Sequence, residues 1–412
     1  VEPIKRDFGL SDTEFSLLHG LAFAIFYTLL GLPIGRLMDT SKRTRLISAG
    51  VALWSLMCAG CGVVQSFWGM FACRLGIGVG EATLSPGAYS LISDYFPPAR
   101  RARALATYSL GITVGGGLAF AFGGVVVDIA ATQQGTILPL LGEVASWQLV
   151  FIAVGLPGLI VALMVLSIRE PQRREQLIAD DGSSDVSIAD IRRFLGTHAR
   201  LFFCLFVGLG LISIASYALT AWIPTTFIRR FAWTAGEIGL AYGLIMAVIG
   251  SLGLYGGAWY SDWLAQHRGD ADAPLRVILY GIAGALIFGS LSPVMPTASL
   301  CIGMLACANL FILVPFGLAP VMLQAVVPNQ MRGVLSAVYL FVMNILGLGI
   351  GPTSVALVTD RVFGDELMVG WSISLVLVLV LPVALLLMAV AIAPYRAARA
   401  EFQKSVDSFS GE

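Results

Sequence analysis

Eleven apolar stretches, each of roughly 20 residues or more, constrain this chain more than any other feature of its sequence. They run over 15–38, 45–66, 68–95, 104–129, 147–168, 201–228, 235–260, 276–295, 298–326, 331–358 and 371–392. In hydrocarbon every backbone amide and carbonyl must be bonded within the protein, so runs this long are helices rather than barrel strands. Hydrophobic residues make up 57% of the chain and charged ones 12%, more apolar surface than a water-soluble core hides. The expected class is an all-α, multi-pass membrane protein. The first span opens on Ser11-Asp12-Thr13-Glu14, a capping box in which Ser and Glu satisfy free amides at a helix start.

One span carries charge where charge is costly. Arg74 and Glu81 lie within 68–95, and an ionisable group deep in a span needs a partner, water or a function. They stand seven residues apart, two helical turns, so both side chains leave one face about 10 Å apart along the axis. Between them Gly76, Gly78 and Gly80 remove side-chain bulk and admit a neighbouring helix or a substrate. A cation beside Glu81 favours its ionised form, and desolvation without one favours the protonated form. The pair therefore suits a proton switch, with Arg74 also able to take an anionic headgroup. The structural alternative is an ion pair tying two helices together.

Basic residues in the connections are strongly one-sided. Eighteen Lys and Arg, among them Lys42, Arg43, Arg45, Arg100, Arg101 and Arg103, fall on one side and five on the other. The positive-inside rule makes the first side cytoplasmic and places the C-terminus there. Arg169 to Arg200 is the long hydrophilic connection, with six basic and six acidic residues. Within it Ile188, Ile191, Phe194 and Leu195 repeat at helical spacing, as in a helix lying on a membrane surface. The division expected is a first bundle at 1–168, a linker at 169–200, a second bundle at 201–394 and a cytoplasmic tail at 395–412.

The two halves repeat one another. Pro97, Arg101 and Tyr108 recur as Pro328, Arg332 and Tyr339; Gly35 to Asp39 recurs as Gly257 to Asp262; and Pro3, Glu14 and Leu17 match Pro224, Glu237 and Leu240 with a two-residue difference in loop length. The counterpart of span 201–223 would precede Val1, so the repeat leads to the expectation of twelve spans, six plus six, with a first helix absent from the sequence.

The segment Gly35-Arg-Leu-Met-Asp39-Thr-Ser-Lys42-Arg43-Thr-Arg45 resembles the loop signature of the major facilitator superfamily. Gly80-Glu81-Ala82, Ser93-Asp94-Tyr-Phe-Pro97, Arg100-Arg101, Trp147, Pro157-Gly158 and Arg169-Glu170-Pro171 are more narrowly similar to its spinster branch. The resemblance implies two pseudo-symmetric six-helix bundles rocking about a central cavity, and transport of lysolipids or sphingosine phosphates, with protons used by bacterial members. The fourth span is rich in glycine but lacks the Pro of the antiporter signature.

Further candidates follow from position. Asp39 with Arg43, and Asp94 with Arg100 and Arg101, sit at cytoplasmic helix ends as candidate gate ion pairs, with Asp262 as the second-half copy; the alternative is interfacial charges that anchor helix ends. Phe23, Phe26, Tyr27, Tyr217, Trp222 and Tyr339 are candidates to line a cavity for a lipid tail, and His19 reads as interfacial. There is no GxxxxGK phosphate loop and no metal-ligand spacing, so no cofactor is expected, and neither are nucleic-acid binding or enzymatic chemistry. The expectation is a monomeric secondary transporter of the bacterial inner membrane, in contact with lipid, protons and an amphipathic or anionic organic solute that it exports. The alternative is a proton-coupled importer of small organic acids or sugars.

Overall fold

The computed structural model describes residues 1–96, 98–132, 136–138, 142–171, 188–270, 272–328 and 331–410. Helices make up nearly all of it; the exception is a short antiparallel hairpin, Thr136–Leu138 (β1) with Gly142–Val144 (β2), in which Ile137 faces Glu143. Ten described helical stretches are long and apolar enough to cross a membrane. The expected third span does not run through. It is broken into Phe67–Glu81 (α5) and Leu84–Tyr95 (α6).

The remaining elements are Glu2–Phe8 (α1), Asp12–Ser16 (α2) continuing through a π turn into Ala22–Thr40 (α3), Arg43–Cys61 (α4), Pro98–Ala131 (α7), Ser146–Gly155 (α8), Pro157–Ser167 (α9) and Ile188–Thr197 (α10). Then come Ala199–Phe231 (α11), Ala235–Leu244 (α12), Ser251–Arg268 (α13), Ala273–Gly284 (α14), Ala298–Ile312 (α15), Val314–Val326 (α16), Arg332–Asn344 (α17), Gly351–Leu357 (α18) and Val369–Ser410 (α19). The connection helix α10 is amphipathic as the spacing predicts, with Ile191, Phe194 and Leu195 half-buried and Asp190, Arg192 and Arg193 exposed.

The chain forms two compact units. One comprises Val1–Gln176, Ile223–Ala247 and Leu348–Val369; the other comprises Leu177–Trp222, Val248–Gly347 and Gly370–Glu412. In the first, α4 is central and packs on α5, α8 and α9. In the second, α13 to α16 pack on one another over Leu305, Ile282 and Leu318, all nearly inaccessible. There Asp272 takes Arg276 at 3.0 Å and Arg396 at 2.8 Å. Burial works against the Asp272 carboxylate, but these two guanidinium groups outweigh it and hold it below the ordinary range.

The repeat is visible in local geometry, and it sharpens the sequence alignment. Gly9, after α1, and Ala232, after α11, both take left-handed backbone, with φ of 65° and 54°. Ser11 with Glu14 and Thr234 with Glu237 both form capping boxes. The left-handed residue and the capping box keep the same spacing in both copies, so the Pro3 to Pro224 match, with its two-residue difference, is out of register. Gly20 and Gly243 hold corresponding places and do the same work. A Cβ on either would collide with a backbone carbonyl, that of Leu348 and that of Gly117 respectively, so each glycine lets two helices meet backbone to backbone.

Candidate functional site

The break after Glu81 has a local cause. Pro86 has no N–H to give the Ala82 carbonyl, and its ring crowds that carbonyl, so the ladder fails there. The Thr83 amide reaches back only to Gly80, at 3.2 Å, and its hydroxyl donates to the same carbonyl at 2.8 Å. Helix α4 packs on the interruption at Gly50, where a Cβ would strike both the Thr83 hydroxyl and the Gly80 carbonyl. Glu81 therefore ends a half-helix inside a membrane-spanning region, an arrangement in which irregular backbone is tolerated when it is buried in protein or lines a cavity.

Arg74 and Glu81 are both half-buried on α5. In this conformation no ion pair joins them. The guanidinium instead lies over the Phe151 ring at 5.4 Å, and its buried Nε has no hydrogen-bond partner. Phe151 is fixed by an edge contact with Trp147, and the Trp147 indole donates to Asp7 at 2.5 Å. The Trp147 noted in the sequence thus buttresses the ring on which Arg74 rests. His19 is exposed, within electrostatic reach of Arg74, and stacks on Phe15. It belongs to the π turn Leu17–Leu21, which packs against α5.

Around Glu81 the expected aromatic residues are joined by others. Tyr27 stacks on Phe23 at 5.4 Å, and Tyr27 and Tyr108 both face Ser85. Tyr89 meets Tyr108 edge-on at 5.4 Å. Ser85 and Tyr89 carry no signal of a site in the sequence, whereas Tyr108 stands there as the first-half mate of Tyr339. Phe26 is exposed. In the other unit, Tyr217 and Tyr339 neighbour one another, and Trp222 is buried at 2% exposure, so it packs rather than lines space.

The charged helix ends gather described partners around Arg43. Arg43, 1% exposed, donates to Asp94, to Ser90 at 2.7 Å and to Glu170 at 2.8 Å. Among the described residues Asp94 thus pairs with Arg43. The side chains of Asp39, Arg100 and Arg101 lie outside the described residues; Asp262 is exposed on α13. Glu170 also accepts from the Thr44 amide at 3.0 Å and the Thr44 hydroxyl at 2.9 Å. Burial disfavours its charge, yet Thr44 and Arg43 hold the carboxyl below the ordinary range.

A second charged cluster, missed by sequence reasoning, surrounds Asp12 at the far end of the helical path that leads to Arg43. Asp12 is fully buried. Its Oδ1 accepts from Lys5 at 2.5 Å and from Arg229 at 2.9 Å, and its Oδ2 accepts from Arg229 at 2.8 Å. Glu2 binds Arg229 at 2.7 Å and Glu366 binds Lys5 at 2.6 Å. Burial disfavours the Lys5 ammonium, but its bonds to Asp12 and Glu366 leave it above the ordinary lysine value. Among the described residues no three His, Cys, Asp or Glu side chains gather for a metal ion.

Comparison with known proteins agrees with this architecture. An MFS-type efflux pump of Mycolicibacterium smegmatis is 28% identical over 366 residues, spanning 88% of this chain and 80% of that protein. Protein spinster homolog 1 of Mus musculus is 28% identical over 384 residues, spanning 87% of this chain and 68% of that protein. A bacterial homolog to human lysosomal transporter Spinster, crystallised in an inward-facing and occupied conformation, matches with a TM-score of 0.76 at 26% identity, over 98% of this chain and 92% of that one. The sequence profile of the Major Facilitator Superfamily matches residues 1–352, and the chain belongs to that family.

Proposed function

We propose that this family member is a proton-coupled secondary transporter that exports an amphipathic or anionic organic solute by alternating access, with bundles 1–168 and 201–394 moving about the site and the C-terminus on the cytoplasmic side of an inner membrane. The observation that carries the reading is the state of Arg74 and Glu81: two ionisable groups on one half-buried face, unpaired, with a guanidinium edge left without a hydrogen bond. A buried donor without a partner is costly, so Arg74 is available either to an anionic substrate group or to Glu81. Glu81 carries a proton while Arg74 is turned to Phe151 and gives it up when Arg74 swings back. Substrate and proton then compete for one cation, which couples their movements. The tyrosines around Ser85 supply rings and hydroxyls suited to an amphipathic solute. The efflux-pump relative supports export, and the resemblance of Gly80-Glu81-Ala82 and Ser93 to Pro97 to the spinster branch supports a lipid-like substrate.

The test is gradient-driven flux in liposomes. Glu81→Gln, a mimic of the protonated acid, should retain substrate binding and lose accumulation. Arg74→Ala should weaken binding of an anionic lysolipid about tenfold or more, the worth of a charge-assisted contact, and leave a neutral analogue unaffected. Wild-type flux and pH dependence in Glu81→Gln would assign the pair a structural role.

A further inference from the structure

The first unit contains two carboxylates that do one job twice. Asp360 Oδ2 accepts from the Thr13 amide at 2.8 Å and from its hydroxyl at 2.6 Å. Asp128 Oδ2 accepts from the Gly236 amide at 2.9 Å. Thr13 and Gly236 are corresponding residues: each is the second residue of a membrane-crossing helix, two places after the N-cap of a capping box. That box satisfies two amides, the third-position N–H through Ser11 or Thr234 and the cap N–H through Glu14 or Glu237. It leaves the second-position amide free. In both copies that amide is taken by an aspartate from the other half of the repeat.

The aspartates correspond as well. Asp360 stands one residue further from Tyr339 than Asp128 does from Tyr108, and the π turn Ile345–Ile350 in between takes up one extra residue. The two sites differ as their chemistry requires. Thr13 adds a hydroxyl bond, whereas a Cβ at Gly236 would collide with the Asp128 carboxylate, so the bare amide there is a condition of the contact. Below each contact the helices continue face to face, Gly20 on Leu348 and Gly243 on Gly117.

We infer that Asp128 and Asp360 are a pseudo-symmetric pair of latches that hold this end of the protein shut, each a negative charge seated on the positive end of a helix from the opposite half. Opening this end, which rests on the alternating-access reading above, requires both carboxylates to leave. Since both latches restrain one motion, loosening either lowers the cost of the same opening.

Hydrogen exchange read by mass spectrometry on the full chain in lipid nanodiscs, without substrate or gradient, tests this. The peptides followed cover 11–20 and 234–243. Asp128→Asn and Asp360→Asn should each speed exchange about fivefold in both peptides, the worth of one charge at a helix start. Gly236→Ala keeps the carboxylate but displaces it, and should act like Asp128→Asn. A rise confined to the helix that each aspartate touches makes them local caps and overturns the inference; so does no rise in either peptide. Failure of Glu81→Gln to abolish flux leaves this result untouched, because exchange is read without transport.

Discussion

Replacing Asp12 with Asn tests the largest electrostatic commitment in the first unit. The carboxylate is 0% exposed and holds Lys5 and Arg229, each only 6% exposed, through three hydrogen bonds. Glu2 and Glu366, 37% and 55% exposed, are the acids left to these cations when Asp12 is neutral. Removing one partner of a buried pair strands the other, at a cost of about 3 kcal/mol. For a chain of this length unfolding as one transition, that is a fall in Tm of about 3 °C. Tryptophan fluorescence during heating in detergent measures it, for Asp12→Asn, Arg229→Gln and the double variant. The double variant should fall little further than either single one, because the second substitution removes the charge stranded by the first. The shift should also hardly change between low and high salt, since buried pairs are weakly screened. Additive losses, or an Asp12→Asn protein as stable as wild type, would refute the reasoning.

Two other outcomes are expected. Glu170 is held below its ordinary value, so its contribution to the Arg43 cluster is complete above about pH 4.5 and disappears as pH falls through the lower folded value; acid titration of Tm should show a loss in wild type that is missing in Glu170→Gln, and equal curves would remove Glu170 from the account. Pro86→Ala restores a donor to the Ala82 carbonyl and should heal the break, slowing exchange across 82–88 by tenfold or more given the ~3 kcal/mol that an interior proline costs a helix; unchanged exchange would assign the break to Thr83 and the Gly50 contact instead.

Much of the fold is legible in the sequence because span length and the apolar run are one quantity. The interruption at Ala82 is less so, since hydropathy averages over the loss of a backbone bond and Pro86 signals a bend without fixing where the ladder breaks. Arg74 and Glu81 stand out because charge inside a span is rare. Their separation in this conformation depends on Phe151, whose ring is no different in sequence from any packing residue. The Arg43 contacts to Asp94 and Glu170 are not legible in the sequence because a helix end pairs in space, and these acids come from α6 and from the residues after α9. The Asp12 cluster escaped for a similar reason: Glu2, Lys5, Arg229 and Glu366 each read as an ordinary loop charge. The aspartates at 128 and 360 are visible only once the capping boxes show which amides remain unfilled.

The Asp12 cluster also sets an order of events during synthesis. Arg229 follows Asp12 by 217 residues, and Glu366 follows Lys5 by 361. At 5–20 residues per second, Asp12 exists for about 10 to 40 s before Arg229 is made. Through that interval Lys5, seven residues away, is the cation at hand. Lys5 is thus placed to neutralise the carboxylate before the arginine is made, and in the folded chain the two cations share it. A Lys5→Met chain should then lose insertion yield during translation more than it loses melting temperature once assembled.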